Sequence, residues 1–513
     1  MIERVTASGA ATIAVFFESA ARPAQKSRLY RWYERADRRL THIADDPNAP
    51  IDVPALARVP RVPIDLASID PTAQGLDVVL VLADDERTAQ RLARRARHGA
   101  WMWVAGETSP NDAPFLRELR ERRPTTGVSI VQVTDAPEPR ELDRIEVATE
   151  PGLSQMRNSV QPLWALAERL VGLIEALSRG AGGAGGVRSW DARSPGDLAS
   201  QDLTPPTPPA TPRGFVTWLG PEILRKSVRR LTRSPKAVHW QVALRRGPHS
   251  LLHSTVGSER APSFSALEAP PGRFYADPFL FAEAGTEWLF IEDYDRARGI
   301  GRLACAPVNG LDIGDVQPVL EQPYHLSYPC LIREAGEIFL LPETASNGTV
   351  DLYRCERFPD RWAHVRTLLN RRAVDTTPLR HDGRWWFFTT LLASHGGSGE
   401  LWLFSSPSID GDWQAHPASP ISTDVRTCRN AGAIVCDRGR RFRPSQDGSG
   451  GYGARFTLQE IVELDARTYR ERAHVTFEPD RARGEIGAHT YARLGDLEAI
   501  DVCTMRRLRD LGG

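Results

Sequence analysis

The sequence predicts two folded regions of different class. An α/β domain over residues 1–179 is followed by an all-β, five-bladed propeller over residues 237–513. Between them, residues 180–236 read as a linker with a basic end. Three observations carry this. Continuous apolar runs alternate with helix-like stretches in the first third of the chain. Gly, then Pro, Ser and Thr dominate "GAGGAGGVRSWDARSPGDLASQDLTPPTPPATPRG", a composition that cannot bury a core. Beyond Trp240 a hairpin-like pattern recurs with a period of about fifty residues, in the range of propeller blades.

In the first region "ATIAVFF" (Ala11 to Phe17) and "LDVVLVLA" (Leu76 to Ala83) have the unbroken apolar character of strands covered on both faces. "DERTAQRLARRARHG" (Asp85 to Gly99) fits a helix with an acidic first turn, an Arg-rich last turn and a Gly stop. "AWMWVAG" and "GVSIVQVT" read as further strands, and "QPLWALAERLVGLIEALSRG" (Gln161 to Gly180) as a closing amphipathic helix. Such alternation predicts an open α/β sheet with right-handed crossovers.

In the second region the copies begin "DPFLF" at Asp277, "YPCLI" at Tyr328, "TTPLR" at Thr376, "NAGAI" at Asn430 and, more faintly, "HTYAR" at His489. Each has a polar start, an apolar strand, a turn with Gly or a charge, and a second strand. Five copies predict five blades, with "HWQVALRRG" (His239 to Gly247) completing the last and closing the ring. Closure removes the exposed sheet edges of an open array.

Composition narrows the function. Lys plus Arg and Asp plus Glu both number 65, so no global charge favours nucleic acid. The basic segment Glu222 to Lys236 is the exception, a solvated helix or a contact for an anionic membrane surface. The six cysteines form no CxxC pair and no zinc pattern; buried free thiols are expected. The N-terminal stretch reads as a first strand, not a signal peptide, and no apolar run is long enough to span a bilayer, which points to the cytoplasm. No cofactor and no metal motif are expected.

First strands of propeller blades line one channel, so their equivalent ends meet at one mouth. Asp277, Tyr328, Asp375, Asn430 and His489 lie at or beside equivalent positions. Two carboxylates with an aromatic and a His nearby make a sugar pocket, or an acid–base pair across a glycosidic bond; turn capping is the structural alternative. Glu343, after an apolar strand and a Pro in "LLPETASNGTVDLYR", is a candidate acid whose pKa desolvation would raise. The candidate catalytic set is Asp277, Asp375 and Glu343; Tyr328, Asn430, Asp447, His489 and Trp385 are the substrate-binding candidates. Glu292, Asp293 and Asp295 read as a solvated turn. "RPSQDGSGGYG" has the Gly content of a phosphate loop without its Lys or following helix.

The stretches "FYADPFLF", "PYHLSYP", "LLPETASNGTVDLYR", "AVDTTPL", "DGRWWFF" and "RPSQDGSGGYG" resemble the propeller domain at the N-terminus of plant glucosamine inositolphosphorylceramide transferases. More widely they resemble the five-bladed propellers of glycoside hydrolase family 43. That resemblance implies an Asp base at Asp277 and a pKa-tuning Asp at Asp375. Where the family places its acid Glu, this chain reads "CRNAGAIV", with Asn430 near the place. "ARHGAWMWVAGE" and "RPTTGVSIVQVTD" resemble a Rossmann-like formyltransferase domain. Met102, Trp103 and Val104 stand where that family has catalytic Asn and His, and Asp135 is a match for its Asp. The functions implied are a sugar-, glycan- or glycolipid-binding propeller in cell-surface glycan synthesis or modification, a glycosidase, a non-catalytic glycan-binding module, or N-formyl transfer to an amino sugar.

Overall fold

The computed structural model describes residues 16–18, 32–37 and 61–63, most of 76–178, and 236–253, 264–392, 399–507 and 511 with few gaps. The chain divides into two units, Met1–Arg230 and Leu231–Gly513. The expected linker and basic segment lie outside the described residues, Lys236 apart. Among the described residues no helix is long and apolar enough to cross a membrane.

In the first unit, strands Val79–Val81, Ala100–Ala105, Thr125–Val133 and Arg140–Ala148 lie side by side in chain order. The first pair is parallel, joined through helix Glu86–Ala93. The next two pairs are antiparallel. The expected series of crossovers is therefore corrected to one crossover and a meander. The last strand escapes a search for apolar runs because charged residues interrupt it, yet its Leu142, Ile145 and Val147 pack with Leu166, Leu170 and Ile174 of helix Gln155–Ser178. That helix starts before Gln161 because Tyr33 and Asp37 accept the N–H groups of Gln155 and Met156 at its first turn. The helix expected up to Gly99 stops at Ala93; the N–H groups of Arg97 and His98 turn instead to the carbonyls of Leu76 and Asp77. A separate parallel pair joins Phe16–Glu18 to Arg61–Pro63.

The second unit is a ring of five antiparallel sheets, each built on a four-stranded path. Blade 1 begins with Arg273–Glu283 and Thr286–Asp295, blade 2 with Ser327–Glu334 and Glu337–Glu343, blade 3 with Ala373–His381 and Arg384–Leu391. Blade 4 has an interrupted first strand, Arg429–Asn430 and Val435–Asp437, before Arg440–Asp447. In blade 5, Glu485–Gly487 and Tyr491–Leu494 pair with Leu497–Arg507, which pairs in turn with Lys236–Arg246. First strands of successive blades touch, and blade 5 returns to blade 1. The Tyr491 N–H donates to Ala431 O at 2.7 Å between blades 4 and 5.

Apolar side chains fill the spaces between blades. Phe279, Phe290, Leu340 and Phe387 belong to one cluster across blades 1 to 3. Phe442, Phe456, Tyr491 and Ile500 join blades 4 and 5, while Leu244, Leu289 and Ala499 join blade 5 to blade 1. All six cysteines are free thiols; four are buried, Cys355 is half-buried and Cys436 exposed.

Candidate functional site

Three blades share one local device. Register shifts interrupt the first two strands between Phe290 and Glu292, between Ser327 and Cys330, and between Val374 and Thr377. At these bulges Asp277, Tyr328 and Asp375 have φ of 50°, 51° and 52°. A left-handed backbone is unfavourable for a side chain such as Tyr, and three matched outliers in one ring mark a site that the surrounding structure holds in place. Across the bulges, Ala276, Ser327 and Val374 pair with Glu292, Glu343 and Thr390. Each bulge thus turns an inner residue toward the ring while its pairing partner supplies a second polar group.

Asp277 is buried in hydrogen bonds. Its carboxylate accepts from the Tyr328 N–H at 3.1 Å and the Thr490 hydroxyl at 2.8 Å. Its own N–H donates to Asp501 at 3.0 Å. Burial pushes its carboxyl up to about 6; Asp375 and Asp501 add to this and His489 opposes it. Asp375 is held instead by cations and amides: Arg429 Nε donates to it at 2.5 Å and Gln446 Nε2 at 3.1 Å. Glu343 lies beside this pair, 3.9 Å from Arg429. Burial first, then the charge of Asp375, raises the Glu343 carboxyl well above the usual range, against the pull of Arg429. Its strand ends in a tight turn, where the Thr344 hydroxyl donates to Thr349 O at 2.7 Å and Gly348 takes φ 76°.

Asp277, Asp375 and Glu343 therefore come together from blades 1, 3 and 2. The substrate-binding candidates do not follow them. Tyr328 is fully buried, and its hydroxyl bridges Thr377 of blade 3 at 2.7 Å and Gly432 O of blade 4 at 3.0 Å. It spans the ring as a tie. Gly432 must be glycine there, since a Cβ would lie 2.1 Å from Tyr491 O. Asn430 is also scaffold: its Nδ2 donates to Asp375 O and Phe388 O at 2.7 and 2.9 Å, and its Oδ1 accepts from Arg443 at 3.0 Å. Arg443, fully buried, pairs with Glu471 at 2.6 Å. Asp447 turns to Arg455 at 2.8 Å and caps Ser449 N–H at 2.9 Å, anchoring the loop that follows. Trp385 sits by the opposite turn of its hairpin, paired in register with Arg380 and bonded to Glu334 at 3.3 Å.

His489 Nδ1 is 2.6 Å from Asp501, and its ring stacks on Trp240 with centroids 4.0 Å apart. Burial lowers its pKa, but the charge of Asp501, helped by Asp277 and Asp375, outweighs burial and raises it. Asp277, His489 and Asp501 offer atoms within 4.8 Å of one another, the spacing of a cation site. Asp501 is already occupied, accepting N–H groups of Asp277, His489 and Thr490 as well as the imidazole. The trio is a hydrogen-bonded brace and fits a metal poorly.

Three residues of the site were not among the site candidates read from the sequence. Arg429 bridges Asp375 and Glu343. Tyr452 lies 5.1 Å from the Arg429 guanidinium carbon, edge-on to His489, with 63% of its surface exposed. It projects from the loop whose Gly content suggested a phosphate cradle. Glu292 is the third, and here the solvated-turn reading is corrected: Glu292 and Asp293 are buried. Asp293 is paired with Arg273 and Arg302 at 2.5 and 3.0 Å, while Asp295 is half-buried with Arg273 at 3.1 Å. Burial, then Asp277, Glu343 and Asp501, raise the Glu292 carboxyl well above its usual range. The arrangement gathers buried carboxyls with raised pKa, an Arg–Asp pair and an exposed aromatic ring at the inner ends of the strands.

Residues 263–506 match the family model described as glucosamine inositolphosphorylceramide transferase 1, N-terminal. The glucosamine inositolphosphorylceramide transferase 1 of Oryza sativa subsp. japonica is 32% identical over 211 residues, 39% of this chain and 28% of that protein. The Arabidopsis thaliana protein of the same name is 33% identical over 211 residues, 39% of this chain and 27% of its own. The chain thus spans under a third of the length of these relatives. Among solved structures, the catalytic domain of the Coprinopsis cinerea GH62 α-L-arabinofuranosidase aligns with TM-score 0.35 and 12% identity over 53% of this chain and 98% of that one. A GH43_1 enzyme from Xanthomonas citri aligns with TM-score 0.35 and 10% identity over 46% and 90%. Scores of this size bear on neither the fold nor the chemistry. The family match falls wholly on the second unit, and the formyltransferase resemblance of the first is not supported. In that unit Met102 is buried within a strand, and Asp135 is an exposed surface partner of Arg94 at 2.7 Å.

Proposed function

We propose that the second unit binds a sugar or glycolipid head group at the mouth formed by Asp277, Glu343, Asp375, Arg429 and Tyr452, in the synthesis or modification of a cell-surface glycan. The observation that carries this is the convergence of carboxyls from three blades beside an exposed aromatic ring. Carboxylates grip vicinal hydroxyls, and the Tyr452 face covers the apolar side of a pyranose. The match to a transferase family supports a place beside glycosyl transfer. Contact of the basic segment 222–236 with an anionic membrane, and a cytoplasmic location, belong to the same proposal; co-sedimentation of the full chain with anionic vesicles tests the contact.

Calorimetry of the full chain against a panel of monosaccharides and methyl glycosides tests the sugar reading. Binding that Asp277→Asn weakens supports it; no binding to any sugar or glycolipid overturns it. A second reading, glycoside cleavage, is favoured by one observation. Glu343, next to the Asp375–Arg429 pair, has its carboxyl pKa raised by burial first and by Asp375 second, the direction an acid role needs. Glu343 then protonates the leaving oxygen while Asp277, once ionised, activates water. Release of nitrophenol from aryl glycosides, lost in Glu343→Gln, is the expected result; absence of turnover on every glycoside removes this second reading and leaves binding.

A further inference from the structure

We propose that the rim of blade 5 beside the mouth is a docking face for an anionic lipid bilayer. The inference rests on the membrane contact proposed above and gives it a folded surface in the closing strands. Val238 and Met505, 46% and 42% exposed, face each other across Lys236–Arg246 and Leu497–Arg507. Trp240 and Cys503 are the pair two residues further in, so the four side chains form one stripe on one face of the sheet. The inner pair is buried against Ala276 and Phe274, and the outer pair is bare. Tyr452 meets Trp240 edge-on, with ring centroids 6.3 Å apart, and carries the stripe toward the mouth. Ile486, 37% exposed, stands on the neighbouring strand, where Gly487 packs so closely that a Cβ would lie 2.4 Å from Gly453 O. Seven large apolar side chains of the second unit are exposed, and four of them share this edge. Single exposed apolar residues are ordinary, whereas a group of them marks an interaction surface.

Charge selects the occupant. The pair at the strand ends is Lys236 opposite Arg507, two like charges where an antiparallel pair ordinarily avoids them. Among the described residues neither has an acidic partner. Nor have Arg296 and Arg481, which donate to Val238 O and Ile486 O beside the apolar tips. The Arg296 guanidinium lies over the Phe274 ring, 5.1 Å from its centroid, so its stem covers apolar surface while its charge stays at the rim. Aliphatic and thioether tips, a phenol and a fringe of uncompensated cations make an interfacial anchor. The tips enter the acyl boundary and the cations meet lipid phosphates. A second copy of the chain fits poorly, because a two-fold contact sets the patch against itself and one cationic fringe against the other.

The test is sedimentation of the full chain with vesicles of phosphatidylcholine alone, or with about one-third phosphatidylserine. The expected result is binding to the anionic vesicles about tenfold or more tighter than to the neutral ones, and weakened by salt. Val238→Thr combined with Met505→Gln removes two apolar tips at exposed positions and should weaken that binding about tenfold. In the unaltered protein, anionic vesicles slow amide hydrogen exchange along 236–240 and 503–507, a reading that needs no variant. Binding that the double substitution leaves unchanged, with no slowing along these strands, overturns the proposal and leaves segment 222–236 as the contact. Equal binding to both vesicles overturns the anionic bilayer as the occupant. Failure to bind either overturns the rim and the segment together. A dimer in solution that the double substitution dissolves gives the patch to a second copy and also overturns the proposal. None of these outcomes touches the sugar reading, which the calorimetry above decides.

Discussion

Asp277 and Asp375 occupy the same bulge of two blades with φ of 50° and 52°, yet they are held in opposite ways. Asp277 accepts from neutral donors among other acids, with His489 3.9 Å away as the opposing cation, and burial pushes its carboxyl up to about 6. Asp375 is gripped by Arg429 and supported from behind by Gln446 and Asn430. A repeated backbone therefore fixes where a carboxyl stands, and the side chains of neighbouring blades fix which partners hold it. In a propeller those neighbours are about fifty residues away in sequence, so equivalent positions in the repeat need not have equivalent chemistry.

The comparison can be broken first on its cationic side. Asn430, which holds Asp375, is itself held by Arg443, fully buried against Glu471. Arg443→Met strands that glutamate, and the unfolding free energy is expected to fall by about 3–5 kcal/mol in urea denaturation. A loss below about 1 kcal/mol would show that Asp375 does not depend on this chain of contacts.

The neutral side makes a pH prediction. An unfolded Asp titrates near 3.9, whereas Asp277 is raised to about 6 in the fold. A raised acid contributes stability that is complete below its unfolded value and is lost as pH rises through its folded value. Between roughly pH 4 and 6 the protein should therefore lose up to about 3 kcal/mol through this group. Asp277→Asn removes that part of the slope. Glu292 and Glu343, also raised, contribute a decline of the same sign in both proteins, so the difference between the two urea-derived curves is the quantity to read.

Tyr452 serves both sides and sharpens the comparison from the ligand's direction. With 63% of its surface exposed, its loss in Tyr452→Ala should leave stability within about 0.5 kcal/mol. The same change should weaken sugar binding by about 0.5–1.5 kcal/mol, read by calorimetry. The smallest effect on binding belongs to Trp385→Phe. It removes the 3.3 Å bond to Glu334, far along the hairpin from Asp375, and should cost about 1 kcal/mol of stability or less with sugar affinity unchanged.

Much of the ring was legible because its signal is periodic. Polar residues at the start of each copy located the strand ends that meet, so Asp277 and Asp375 could be placed at one mouth before any coordinates, whereas Glu343, at the end of a second strand, was a candidate acid whose place beside them was open. What a linear reading missed depends on registration between strands. Glu292 lies among acids that resemble a turn, and only its pairing with Ala276 shows that it faces inward. Arg429 was hidden by an Arg-rich composition in which no single guanidinium stands out. Tyr452 lay in a Gly-rich loop read for its glycines. Tyr328 and Asn430 were rightly seen as polar and central, but a polar group at a ring centre can be spent on holding the ring, as their bonds to Gly432 and Phe388 show. In the first unit, Arg140–Ala148 carries too many charges for its strand to stand out by apolar content.

The closing strand Lys236–Arg246 has a consequence of its own. It pairs with Leu497–Arg507, the longest excursion in sequence that any sheet of the ring spans. Pairings of such high contact order form late in folding and are natural places for fraying. Asp501 lies on that seam and holds both the Asp277 N–H and the His489 ring. Amide hydrogen exchange along 497–507 should therefore slow when the mouth is occupied. The same seam lets local opening of the last blade disarm the first carboxylate while the other blades stay folded.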